Sequence, residues 1–385
     1  MMKFFNHDKD VVWFQTTSFH KNIGMKKILL FVALISYAFS LSAQHRNSED
    51  IMKKLLWDNE KLSILIDSRF DLQTNWEKSK LEQLSFKSND LKVWLVGDLT
   101  PKIHFQIRQN LNKTGDVFRD GFSSATNKAW ISFDLDDKWT ITVGKQSVQF
   151  GTFEYDYNSA DLYLPTMICN DLDASKAGVN VSYTIAKQQL NLQVVNSDSP
   201  QFGDEEYKDK ALAANVLWAG DLFDGKVKTR WAYGVFQHSK KKFYNWITLG
   251  TQLNIKKFIA ELDFYHGDRN MDYSSVVNDL VSGTRPVRDQ SMALNLKYDF
   301  GIWKPSVKGI WDKRYDREFS HDVYERKGLE AVLECYPFTS RVMKDLRFHV
   351  AYTFCNTKFE KKYVNMSSDN LHTVFLGTRW MFKAK

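Results

Sequence analysis

Five carboxylates, Glu154, Asp156, Asp161, Asp171 and Asp173, stand within the 25 residues from Gln149 to Asp173, a stretch with no lysine or arginine. Clustered oxygens can hold a hard cation, but a calcium loop needs ligands at set positions around a glycine, and this spacing matches no such loop. No metal is therefore expected. Carboxylates on one segment do different work when basic side chains face them across a narrow wet passage: the opposed charges set up a transverse field that orients polar solutes and penalises apolar ones. Hydrolytic chemistry has less support. His104, His266, His349 and His372 fall on separate segments with no GxSxG-type nucleophile sequence, and Cys169, Cys335 and Cys355 are too irregularly spaced for a disulfide framework, a redox pair or a zinc site. No catalytic residue and no cofactor are expected.

A field of that kind needs walls. From Lys61 onward the chain breaks into segments that alternate apolar and polar residues with period two, the pattern of a strand with one face in hydrocarbon and the other in water. In 102–109 (Lys-Ile-His-Phe-Gln-Ile-Arg-Gln) the alternation is clearest. Sixteen such segments can be marked: 61–72, 91–97, 102–111, 127–135, 139–148, 175–185, 189–196, 210–218, 227–237, 244–255, 258–266, 290–299, 303–314, 327–335, 345–357 and 371–382. Their inward parity carries the basic residues Arg69, Lys102, Arg108, Lys128, Lys228, Arg230, Lys297, Lys308, Arg347 and Arg379, with Lys92 beside them. The same parity carries Asp67, Asp134, Glu261, Asp263, Asp299, Glu330 and Glu334.

The links between segments sort by length. The first, 73–90, is long and the second, 98–101, short; 112–126 and 149–174 are long and 136–138 and 186–188 short, and the alternation holds almost throughout. An even number of strands with tight turns at one end and long loops at the other is the signature of a transmembrane antiparallel β-barrel, here all-β with about 16 strands and 149–173 as its third outer loop. Aromatics gather toward both strand ends, Trp139, Trp218 and Trp303 at one and Phe70, Trp246 and Trp311 at the other, as rings do at two bilayer interfaces.

Composition agrees. Aromatic residues make up 15% of the 385 and proline only 6, with 26% charged. The net charge of +7 falls to +4 when residues 1–43 are set aside, since they hold five lysines and two aspartates. Nucleic-acid binding therefore has little charge behind it. Those first residues read as an address: Met25-Lys26-Lys27, an apolar run from Ile28 to Phe39 and a small residue, Ala43, form a secretory signal peptide, 25–43, too short to span a bilayer. Residues 1–24 lack that logic and read as an over-extended start, 44–60 as a short periplasmic N-terminal segment, 61–382 as the barrel and 383–385 as a tail.

Val143-Gly144-Lys145-Gln146 followed by Phe150-Gly151 resembles the phosphate-selective porin O and P family of Gram-negative outer membranes. The resemblance implies a sixteen-stranded trimeric barrel with its third external loop folded into the lumen as a constriction. The final strand, ending in Trp380 and Phe382, resembles the terminal strand read by the barrel-assembly machinery. The expected function is an outer-membrane porin, a water-filled channel through the lipid bilayer for passive diffusion of small polar or charged solutes, phosphate or other anions among them. The loop has no arginine or lysine with which to attract anions, so a general polar-solute channel is expected over strict phosphate selectivity. The alternative is a periplasmic or surface β-rich carbohydrate-binding protein.

Overall fold

The computed structural model describes residues 62–113, 120–172, 174–197, 210–272, 284–340, 343–360 and 369–384. The start, leader and N-terminal segment expected over 1–60 lie outside the described residues, as does Asp173. The strands are β1 (Leu62–Glu77), β2 (Lys80–Thr100), β3 (Ile103–Asn110), β4 (Thr126–Asp134), β5 (Trp139–Ser147), β6 (Ser175–Ile185), β7 (Gln188–Asn196) and β8 (Leu212–Leu222). They continue as β9 (Val227–Ser239), β10 (Lys242–Ile255), β11 (Phe258–Asp272), β12 (Thr284–Tyr298), β13 (Trp303–Asp316), β14 (His321–Cys335), β15 (Arg347–Phe359) and β16 (Asp369–Lys383).

Each strand pairs antiparallel with its sequence neighbours, and β1 closes on β16 from Leu65↔Lys383 to Glu77↔Leu371. Closure leaves no free edge around the ring, which is what lets a sheet sit in hydrocarbon, where every backbone polar group must be satisfied within the protein. The period-two pattern resolves into two faces. On β7, Leu190, Leu192 and Val194 point outward and are exposed, while Asn191, Gln193 and Val195 point inward and are buried. Among the described residues no helix is long and apolar enough to cross a membrane.

The strand count matches the sixteen expected segments, but several strands are longer. The expected first long link, 73–90, is a hairpin: β1 runs to Glu77, Lys78 and Ser79 turn the chain with φ of 47° and 68°, and β2 starts at Lys80. The alternation is lost there because Gln73, Asn75, Glu82, Gln83 and Lys87 put polar groups on both faces, and register shifts at Arg69/Phe70 and Asn75/Trp76 break the parity. Likewise β11 continues to Asp272 and β12 begins at Thr284, so the expected link 267–289 is mostly paired strand. Beyond the bilayer both faces of a strand are wet, and period two no longer signals it.

Candidate functional site

After Ser147 the chain leaves the wall and turns into the barrel. Gln146, from the Val-Gly-Lys-Gln stretch, donates from Nε2 to the Gly178 carbonyl at 3.2 Å and accepts from Gln193, whose own side-chain oxygen accepts the Gln149 amide at 2.9 Å. Val148 and Phe150 then pack on Val195 and Ala213, with Tyr155, Leu172 and Phe236 against them. A Cβ on Gly250 of β10 would sit 2.6 Å from the Thr152 Cα, so the close seat of the loop on the wall needs a glycine there. The loop continues through 3-10 turns at Glu154–Asp156 and Ser159–Asp161 and a single α-helical turn, α1 (Met167–Asp171), whose N-terminal amide at Cys169 is capped by Thr166.

Buried backbone amides off a strand need acceptors, and the wall supplies carboxylates. Asp263 of β11 accepts from the Phe153 and Glu154 amides at 2.9 and 2.7 Å, Glu330 of β14 from Leu164 at 2.7 Å and Asp312 of β13 from Met167 at 3.0 Å. Carbonyls are held by the opposite charge: Arg69 donates to the Leu162 oxygen at 2.9 Å and Arg326 to that of Pro165 at 2.6 Å.

Four of the loop acids close ion pairs with wall bases. Glu154, 2% exposed, meets Lys308 at 2.5 Å and accepts from both the amide and the hydroxyl of Thr166. Asp156 accepts from Arg230 at 2.8 Å. Asp161 lies 2.6 Å from Arg347 and 3.7 Å from Arg379. Asp171 is shared by Arg269 and Arg314 at 2.8 and 3.1 Å, and both arginines also hold Asp289. Burial opposes ionisation of Asp171, but the two guanidiniums outweigh it and hold the carboxyl below the usual range. Charges expected to face one another across open water are thus in contact.

The remaining expected residues fall into place less uniformly. Lys297 meets Glu261 at 3.0 Å and lies over the Tyr157 ring at 3.9 Å. Arg69 pairs with Asp71 at 2.8 Å, and Lys92 with Asp90 at 2.7 Å and with Asn158 of the loop at 2.9 Å. Arg379 reaches Asp67 at 3.1 Å. Arg108 stacks over Trp94 and is in register with buried Lys128 on β4. Lys228 is only partly buried, in register with Asp221 and Gln252. Lys102 departs from expectation: it is exposed in the turn before β3, because Pro101-Lys102 closes the hairpin and the strand begins one residue later. Trp380 and Phe382 lie together, ring centroids 4.2 Å apart, and Phe382 packs on Ile66 where β16 meets β1.

Sequence reasoning missed Arg314, Arg326 and Arg269. Arg314 shares the parity of Lys308 on β13, so continuing that alternation would have found it. Arg326 and Arg269 fell in segments taken for loops.

The inner wall of β6 to β8 carries amides and hydroxyls in two groups: Asn180 donates to Ser182 and Asn191, and Ser182 to Asn191 at 2.7 Å, while Asn215 donates to Gln193 at 3.3 Å. Between the loop and the wall of β11 to β14 lies a recess lined by Tyr157, Glu261, Asn295, Lys297, Lys308 and Glu330 among others. Among the described residues, no three His, Cys, Asp or Glu side chains converge in a way that could hold a metal ion.

The fold is shared with solved porins at low identity. The outer membrane channel DcaP of Acinetobacter baumannii matches with a TM-score of 0.57 at 10% identity over 83% of this chain and 97% of that one. The anion-selective porin from Comamonas acidovorans gives 0.56 at 11% over 83% and 99%, and OmpT of Vibrio cholerae, in its trimer form, 0.54 at 10% over 83% and 99%. No curated protein matches the sequence. The family model for the phosphate-selective porin O and P covers residues 62–280, more than half of the chain, and with the closed sixteen-stranded barrel and its lumenal loop it places the chain in that family of outer-membrane porins.

Proposed function

We propose that this porin is a general diffusion channel for small polar and charged solutes, with the loop at 149–173 as its constriction, and that it is not a dedicated phosphate pore. The observation that carries this reading is the cancellation of charge inside the barrel. Glu154, Asp156, Asp161 and Asp171 each neutralise wall lysine or arginine at contact distance. Bases already engaged in this way are poorly placed to strip and hold an anion. The reading includes a homotrimer in the Gram-negative outer membrane, delivered by the leader at 25–43 and assembled through the aromatic end of β16.

The test is the combined substitution Glu154→Gln, Asp156→Asn and Asp161→Asn. Removing three negative charges uncovers Lys308, Arg230, Arg347 and Arg379, so permeability shifts toward anions. The measurement is the reversal potential of the purified channel in a planar bilayer under a salt gradient. An unchanged reversal potential removes the loop from the conduction path.

A further inference from the structure

Near the tight turns that join β2 to β3 and β4 to β5, at the end of the barrel opposite the lumenal loop's side of the wall links, one group of charges does not cancel. His104, the second residue of β3, is in register with Asp98 on β2 and with Ser132 on β4, and takes the inward parity of Gln106 and Arg108. Its Nδ1 lies 2.5 Å from the Asp98 carboxylate, beside a register shift between Asp98 and Thr100. Its Nε2 lies 3.0 Å from Asp134 of β4, whose other oxygen accepts from the Thr140 hydroxyl of β5 at 2.7 Å. The side chains of His104, Asp98 and Asp134 are 30%, 32% and 35% exposed, against 4% and 2% for Lys308 and Glu154. The trio therefore presents its charge to water, where the pair at the loop does not.

The geometry fixes the protonation state that fits it. A neutral imidazole has one N–H donor and one bare nitrogen, and an ionised carboxylate only accepts. Both bonds stand together only when the ring carries a proton on each nitrogen. In that state the trio has a net charge of −1, two carboxylates against one imidazolium. Losing one ring proton turns one of the two bonds into a lone pair facing a carboxylate, and the net charge becomes −2. Histidine is the side chain whose ordinary range puts such a change between pH 5 and 8. Asp98 from β2 and Asp134 from β4 are the charged groups that face the ring from the strands on either side. The turns beyond add Lys102, Asp136, Asp137 and Lys138, all exposed, with the Asp136 carboxylate accepting from the Lys138 and Trp139 amides at 2.8 Å each.

We infer that His104 is a selectivity-determining residue of the channel, setting the charge at this mouth by its own protonation, so that the pore favours cations more when the ring is neutral. The inference rests on the channel reading and adds to it a second place, away from the loop, where ions are sorted. The test compares the mature porin with His104→Gln, neutral at every pH, and His104→Lys, charged throughout. Reversal potentials are recorded in planar bilayers at pH 6 and pH 9 under a gradient of dilute potassium chloride, on the order of 10 mM, where screening extends over about 30 Å. Between the two pH values the cation-to-anion permeability ratio of the unsubstituted porin rises by about twofold more than that of either variant, the effect of one unit charge roughly 10 Å from an ion in water. His104→Gln matches the unsubstituted porin at pH 9 and His104→Lys matches it at pH 6, a bracketing that a mere brace between strands would not produce. Heat-modifiable gel mobility reports that each barrel is folded, and either folded variant alone suffices for the comparison of pH steps. A step as large in the variants as in the unsubstituted porin, or one permeability ratio shared by the Gln and Lys variants, overturns the role of His104 while leaving the channel in place. Absence of any potassium chloride conductance in the unsubstituted porin overturns the channel reading itself, and this inference with it.

Discussion

Lys308 shows what a single lumenal charge does in this molecule. Its ammonium is almost fully buried, bonded to Glu154 at 2.5 Å and to the Leu164 carbonyl at 2.8 Å, so it ties two points of the loop to β13. Removing one partner of a buried pair leaves the other desolvated and unpaired, which costs about 3–5 kcal/mol. Lys308→Met therefore lowers the temperature at which the folded gel band converts to the unfolded one, and the double variant Lys308→Met with Glu154→Gln recovers most of the loss. Equal destabilisation by the single and double variants would show that the pair does not set the loop's seat. The parity of β13 made Lys308 legible as an inward residue, and the composition of 149–173 made Glu154 legible as a loop acid. Their contact was not legible: alternation tells which face a side chain takes, not which of several inward bases a loop acid will reach. The role of Asp263, Glu330 and Asp312 as acceptors for loop amides was hidden for a similar reason. An inward carboxylate looks the same in sequence whether it meets water, a lysine or a backbone N–H. Gly377 on β16 hid another contact. A Cβ there would stand 2.3 Å from Asp71 Oδ1 and 2.9 Å from His349 Nε2, so its absence lets His349 of β15 bond Asp71 of β1 at 2.5 Å across the intervening strand.

Strands were read well where one face meets lipid and poorly where both meet water. The β1–β2 hairpin is the clearest case. Its inner half shows the alternation, whereas its outer half, Asp71–Glu77 and Lys80–Asp90, is strand by backbone pairing alone, Leu72↔Phe86 and Glu77↔Lys80 included. What closes it is a two-residue turn in which Lys78 and Ser79 both take positive φ, a conformation that costs any residue with a Cβ and suits Asn-Gly. Replacing Lys78-Ser79 by Asn-Gly removes strain at both positions. The expected gain is about 0.5–1 kcal/mol, seen as a higher conversion temperature of the folded gel band, with single-channel conductance unchanged because the turn lies far along the chain from the lumenal loop. A lower conversion temperature would mean that the Lys78 or Ser79 side chain contributes more than the turn geometry costs. The sorting of links into long and short carried the topology even where their boundaries were wrong, since pairing order depends on which strands are neighbours and not on where each one ends.

At the scale of the whole molecule, two surfaces of opposite character are wrapped on the two sides of one sheet, and the position of each residue in the period-two pattern decides which solvent it meets. Leu249 and Gln252 test that division on a single strand. Leu249 lies midway along β10 on the outer face, 39% exposed in the isolated chain and surrounded by other outward apolar groups such as Ile247 and Leu253. Gln252 lies three residues on, facing inward, where its amide donates to Glu261 at 2.7 Å. A lysine at the lipid face near the bilayer midplane costs about 2–4 kcal/mol, whereas substitutions on the lumenal face mainly tune selectivity. Leu249→Lys should therefore lower the yield of folded, heat-modifiable barrel in lipid vesicles. Gln252→Lys should fold at the wild-type yield, since the new ammonium can take the place of the amide donor beside Glu261, and should move the reversal potential toward anions by adding a positive charge to the lumen. Equal folding yields for the two variants would contradict the assignment of β10's faces, and with it the inside and outside of the barrel, because the sheet's pairing register fixes the faces of every strand relative to its neighbours.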